Sequence, residues 1–283
     1  MKKKSLADEK AIDKIVCDER SIYLRELIIN TMVRAGRGHL ASALSIIEIL
    51  RVLYDDILNV SPETMQSSAR DRFILSKGHG CLALYAVLAD KGFFPKSELE
   101  TFCGPGSRLA GHPEFPRIPG VEASTGSLGH GPSIGIGIAL SAIQTKRSFR
   151  VFVLVGDGEL GEGSIWEAAL CASKHQLSNL ILIIDYNKFQ SYGSTEEVSG
   201  LEPLAQKWLS FGWQVKEVDG HNIPDLRQTL GESAANLKKP TVIICHTVKG
   251  AGIDIVEANL AWHHKSRFTE EDAKELYRGI RRN

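Results

Sequence analysis

Two apolar, β-branched runs, Val151 to Val155 and Leu180 to Ile184, constrain this chain more than any other feature. The first ends in Gly156-Asp157-Gly158 and the second in Asp185-Tyr186-Asn187, with a helix-length segment between them. Runs without polar alternation are buried on both faces, as parallel strands covered by helices are. Two such strands place Asp157 and Asn187 at the same carboxyl edge of one sheet, where open α/β sheets bind ligands. A carboxylate beside an amide oxygen is a hard donor pair that suits Mg²⁺ or Ca²⁺. The glycines let backbone N–H groups approach a diphosphate, and the N-terminus of a following helix favours its charge. Gly-Asp-Gly alone is also compatible with a plain strand-to-helix turn and an unrelated strand-end asparagine.

The remaining segments alternate in the same way. Residues 5–33 carry apolar positions at helical spacing, among them Ile12, Ile15, Val16, Ile22, Leu24, Leu27, Ile28 and Met32, up to the break at Gly36-Arg37-Gly38-His39. Ala41 to Leu58 reads as a second helix, Arg72 to Ser76 as a strand closed by Lys77-Gly78-His79-Gly80, and Cys81 to Lys91 as a third helix. Gly92 to Gly131 is rich in Gly, Pro and Ser, and a loop of that length is usually functional. Pro132 to Lys146 predicts a helix of small residues that packs closely against something. Helices are expected at Leu201 to Phe211 and Ile223 to Asn236, strands at Trp213 to Val218 and Thr241 to His246, and a capped tail helix from Thr269. The pattern predicts one α/β domain over residues 1–283, a doubly wound, mostly parallel sheet with helices on both faces.

Lys and Arg number 34 and Asp and Glu 34, so the balance points to neither a nucleic acid nor an anionic membrane as partner. Five scattered cysteines without a CxxC pair argue for reduced thiols in the cytoplasm, against a disulfide framework or zinc site. The basic start lacks the apolar core of a signal peptide, and no run reaches the length of a membrane span.

Gly156-Asp157-Gly158 followed by Asn187 resembles the thiamine diphosphate signature, and further segments make the likeness specific. Gly36-Arg37-Gly38-His39 is similar to the SGH turn of transketolases, and Asp71 to His79 to their DRFVLSKGH segment. Gly111-His112-Pro113-Glu114 resembles GHPE, Thr125 to Gly131 the TGSLGQG loop, Thr247 to Gly252 TxKGxG, and Trp262-His263 the WHG near the end of that family's first domain. Departures are His264 in place of a glycine, the stretch Ala258 to Leu260, His130 where Gln is common, and Pro132. His264 would sit by the substrate entrance, which leaves the acceptor sugar open.

The resemblance implies the N-terminal subunit of a split transketolase, a two-carbon ketol transferase using thiamine diphosphate and Mg²⁺ or Ca²⁺. It assigns the metal to Asp157, Asn187 and the Phe189 carbonyl. It assigns the cofactor to His79, Gly126, Leu128, Gly156, Gly158, Glu159, Glu162, Asn187, Lys249 and His263, and reacting groups and sugar hydroxyls to His39, His79, His112 and His263. Lys77 and Lys265 are further candidates for neutralising a phosphate, while His175, His221 and His246 read as structural. The activating glutamate of the family belongs to a pyrimidine-binding domain, here expected with the C-terminal domain on a partner chain in an α2β2 heterotetramer. Sugars or sugar phosphates are the implied substrates. Alternatives are a subunit like 1-deoxyxylulose-5-phosphate synthase or a 2-oxoacid dehydrogenase E1, and a non-catalytic scaffold. A dinucleotide-binding protein is disfavoured, since no GxGxxG follows an early strand.

Overall fold

The structure, a computed structural model, describes Ile15, residues 17–190, 193–235, 238–257, 259–262, Lys265 and residues 268–281. Its sheet is built from β1 (Arg72–Leu75), β2 (Val151–Gly156), β3 (Leu180–Tyr186), β4 (Gln214–Asp219) and β5 (Thr241–His246). They lie in the order β1-β2-β3-β5-β4, and every neighbouring pair is parallel. Parallel pairing needs long crossovers. They are supplied by α4 (Cys81–Asp90), α5 (His130–Gln144), α6 (Gly163–Lys174), α7 (Thr195–Val198), α8 (Leu204–Ser210) and α9 (Ile223–Ala235), while α1 (Glu19–Ala35), α2 (Leu40–Leu44) and α3 (Ile47–Val52) precede β1 and α10 (Glu270–Gly279) follows β5.

Successive side chains on a strand point to opposite faces. Phe152, Leu154, Ile181, Ile183 and Ile243 therefore join a core with residues of α1, α3, α4 and α9. Val153, Val155, Leu182, Ile184 and Ile244 join a second core with α5, α6 and α8. Both faces are covered, and that is why neither central run shows polar alternation. The expected fold class is borne out. No helix among the described residues is long and apolar enough to cross a membrane.

Three helix expectations need correction. The first helix starts at Glu19, where the Asp18 carboxylate accepts the Ser21 N–H at 2.8 Å, and ends at Gly36, whose φ of +67° makes a left-handed cap. Residues 5–14 and Val16 lie outside the described residues, as does Asn236 at the expected end of α9. Ala41 to Leu58 is not one helix but α2, α3 and a wide turn over Leu53–Ile57. The break falls at Ser45, whose hydroxyl donates to Asp185 Oδ2 at 2.8 Å on the sheet edge, a competing polar bond that periodicity cannot reveal. Leu201 to Phe211 shortens to α8.

Beneath the sheet edge, Arg25 is fully buried and bonds Glu48 through two nitrogens, at 2.7 and 3.2 Å. Burial opposes the charge of Glu48, but Arg25 and then His221 outweigh it and hold the carboxyl far below the usual carboxylate range. A carboxyl depressed on folding contributes stability that is complete above its unfolded value, near 4.3, and is lost as pH falls below it. Urea midpoints should therefore fall progressively as pH drops below about 4.3, and keep falling below about pH 3. Glu48→Gln should be destabilised at pH 7 by roughly 3–5 kcal/mol, because Arg25 is left uncompensated, and should show a flatter acid limb. Equal slopes for the two proteins would remove Glu48 from the explanation.

Candidate functional site

All strands run the same way, so the loops that follow them gather along one carboxyl edge. Gly156 pairs with Asp185 and Tyr186 with His246, which puts Asp157, Asn187 and Thr247 on three adjacent strand ends. Asp157 Oδ1 accepts the Gly158 N–H at 2.7 Å, and Oδ2 accepts the Lys188 N–H at 2.5 Å. The carboxylate thereby draws the turn after β3 to the turn after β2. Asn187 donates through Nδ2 to Asp185 at 2.9 Å, and its Oδ1 accepts the Phe189 N–H at 3.1 Å. The Phe189 carbonyl accepts from Lys249 Nζ at 3.0 Å. Asp157, Asn187 and Phe189, the residues expected to hold a metal, thus lie on two adjoining turns of this edge.

Burial, then the neighbouring Asp185 charge, push the Asp157 carboxyl up to about 7. Such a group gains by facing a cation. Carboxylate, amide oxygen and carbonyl are hard donors that fit Mg²⁺ or Ca²⁺, and a carbonyl already facing an ammonium lies where positive charge is held. Among the described residues no group of three or more His, Cys, Asp or Glu side chains is placed to hold a metal. A cation held by one carboxylate needs further oxygens, which a diphosphate supplies.

His39, His79 and His112 come from three distant segments and converge. The His39 ring centroid is 5.7 Å from that of His79 and 6.2 Å from that of His112. Burial, then Lys77, His39 and Lys249, hold the His79 imidazole well below its usual range, so it is neutral at pH 7. His112 is exposed and packs on Gly126, where an added Cβ would stand 3.0 Å from the ring and the φ of +147° disfavours a side chain. Gly126 and Leu128 lie in the loop that presses on Gly78, where a Cβ would meet the Thr125 backbone at 2.8 Å. An open cleft of about 540 Å³ runs past His112, Glu114, Ser124, Gly126, Ser127 and His130.

Glu159, expected beside the cofactor, is buried and turns its side chain inward. Its carboxylate accepts from the Ser76 hydroxyl, from Gly129 N at 2.8 Å and from Gly156 N at 3.2 Å, tying three edge loops together. Burial raises its pKa despite these bonds. Glu159→Ala would orphan two buried N–H groups, each costing about 1–3 kcal/mol. The melting temperature should fall by at least about 5 °C, whereas Glu159→Gln should keep most of it. A melting temperature unchanged in the alanine variant would show that the clamp is idle.

Lys77 differs from expectation as well. It is buried, and its ammonium pairs with Asp185 at 2.5 Å and donates to Ser42 O at 3.0 Å. Asp185 also accepts from Ser45, Thr247 and Asn187. Burial would raise this carboxyl, but Lys77 wins and holds it below its usual range. Lys249 reaches the same edge through its bond to the Phe189 carbonyl; burial, then Lys77, lower its pKa to about 8, so most molecules stay charged at pH 7. Lys265 points elsewhere, over the Trp262 ring at 4.1 Å and to Asp272 at 2.5 Å. Glu162 is exposed at the start of α6 and makes no cap bond. His263 and His264 lie outside the described residues. Asp185, Ser45 and Thr247 are the edge residues that the sequence reading passed over.

Fold and edge together define a parallel α/β architecture whose strand ends gather a carboxylate, an amide and glycine-containing turns. The model of the transketolase, thiamine diphosphate binding domain matches residues 18–280, and the chain belongs to that family. One subunit of the apulose-4-phosphate transketolase of Phocaeicola vulgatus is 42% identical over 240 residues, 85% of either chain. The 6-deoxy-6-sulfo-D-fructose transketolase subunit SqwG of a Clostridium species is 41% identical over 248 residues, 88% of this chain and 90% of that one. Among solved structures, transketolase from Campylobacter jejuni superposes with a TM-score of 0.82 at 29% identity, over 93% of this chain and 42% of that one. Transketolase from Leishmania mexicana gives 0.82 at 30%, over 91% and 40%. The chain spans less than half the length of these solved transketolases.

Proposed function

We propose that this chain is the cofactor-anchoring subunit of a two-chain transketolase, which passes a two-carbon ketol unit from a ketose or ketose phosphate to an aldose. The observation that carries the reading is the joining of Asp157, Asn187 and the Phe189 carbonyl at one sheet edge, with three histidines converging on the loops beside it. Asp157, Asn187 and Phe189 would hold Mg²⁺ (or Ca²⁺); the Gly158 N–H, Lys249, His79 and His263 would contact the diphosphate. Gly126 and Leu128 would lie against the rings, and His39, His112 and His263 would bind sugar hydroxyls. Thiamine diphosphate supplies the electron sink for cleaving the carbon–carbon bond beside a ketose carbonyl. This chain would orient the sugar, and it keeps His79 neutral, able to accept a hydrogen bond from a hydroxyl.

The relatives of similar length are named as single subunits of transketolases, which supports a separate partner chain. An α2β2 assembly and residues 1–283 as one domain complete the proposal. A reducing cytoplasm suits the five free cysteines. The test is co-expression with candidate partner chains, followed by ¹³C NMR of a ketose labelled at C1 and C2. Label in a ketose two carbons longer than the added aldose is expected. In a parallel assay with labelled pyruvate as donor, release of labelled carbon dioxide, with or without a deoxyketose, would favour the other thiamine enzymes.

A further inference from the structure

Residues 247–252 carry Lys249 to the Phe189 carbonyl, and this loop is gripped from beneath at two points that both lead to Glu48. At one, the Val248 N–H donates to His221 Nε2 at 2.9 Å. At the other, Arg25 Nε donates to the Ala251 carbonyl at 3.1 Å. Glu48 Oε2 lies 3.0 Å from His221 Nδ1, and the same carboxylate is bonded twice by Arg25. The side chains of His221 and Glu48 are 3% exposed and that of Arg25 0%. Because Nε2 accepts from a backbone N–H, Nδ1 carries the ring proton and donates to Glu48. The His221 N–H in turn donates to Asp219 at 2.8 Å, fixing the turn after β4. Space is closed too, for a Cβ on Gly252 would stand 2.6 Å from Arg25 Nε.

We propose that His221 is a positioning residue that acts through Val248 to hold Lys249 against Phe189, pre-setting the ammonium for a diphosphate. A free lysine side chain and loop lose conformational freedom on being ordered, and an anchored backbone has lost part of it already. Without His221 the two Arg25–Glu48 bonds remain, so the loop loosens while the fold persists. The inference rests on the function proposed above.

The test compares His221→Asn with His221→Gln in the full chain. The Asn amide can reach Glu48 but not Val248; the longer Gln can present its carbonyl to the Val248 N–H. Hydrogen exchange of the unliganded chain should show about tenfold faster exchange at Val248 in His221→Asn, and little change in His221→Gln. With partner chain and Mg²⁺ present, His221→Asn should raise the Kd and the apparent KM for thiamine diphosphate about tenfold, with kcat nearly kept. The double variant His221→Asn/Lys249→Ala should bind no more weakly than Lys249→Ala. Unchanged exchange at Val248 in a folded variant, or additive losses in the double variant, would overturn the proposal. Wild-type protein that binds no cofactor with its partner refutes the proposed function instead, and the exchange result then reports on the clamp alone.

Discussion

Asp157→Asn should abolish cation-dependent binding of thiamine diphosphate while leaving the chain folded. Asp157 is the one carboxylate among the three donors, and an amide in its place removes the charge and one acceptor oxygen. The Kd with Mg²⁺ should rise at least about 100-fold, some 2.7 kcal/mol. Stability should respond differently. The carboxyl sits at about 7, close to half protonated at neutral pH, because burial and Asp185 disfavour its charge. Losing that buried charge offsets the lost bond to the Lys188 N–H. The melting temperature of the unliganded chain should therefore stay within about 3 °C of the parent. Isothermal titration and scanning calorimetry on the same two proteins separate the effects. Cofactor binding within a few-fold of the parent would take Asp157 out of the site.

The second large effect is the dependence on a partner. Two buried carboxyls of the edge are engaged within the chain: Glu159 is locked by three donors and Asp185 is ion-paired, so neither is placed to serve as an acid toward a pyrimidine ring. Glu162 is exposed and pairs with nothing that would orient it. An acid supplied across an interface is worth about 10²–10⁴-fold, and it also completes the pocket. The purified chain should turn over ketose phosphates at least about 1000-fold more slowly than its mixture with the partner. Comparable rates with and without the partner would mean that this chain activates the cofactor by itself.

The sheet and the place of Asp157 and Asn187 at its carboxyl edge were legible because the same residues signal both. Apolar runs at Val151 and Leu180 could only be strands covered on both faces, and the turn after a parallel strand must lie at its carboxyl edge. The register bears this out by setting Gly156 opposite Asp185. Place in the sheet was not legible, since nothing local sends β5 between β3 and β4. Nor were partners across the fold. Lys77 and Asp185 stand 108 residues apart, and only the folded chain shows that they neutralise each other. Glu159 follows the glycine turn like a ligand residue, yet its direction depends on the N–H of Gly129, thirty residues away. The break at Ser45 has the same cause. An apolar period reports which face is buried and says nothing of a hydroxyl reaching for a distant carboxylate. The three histidines were legible by family likeness, and their convergence is a property of the sheet edge.

One measurement reaches the centre most directly: diffraction at the manganese edge from crystals of this chain with its partner, thiamine diphosphate and Mn²⁺ in place of Mg²⁺. A single anomalous peak is expected within about 2.3 Å of Asp157, the Asn187 amide oxygen and the Phe189 carbonyl. Bound cofactor with the peak elsewhere, or with no peak beside Asp157, would contradict the proposed anchoring.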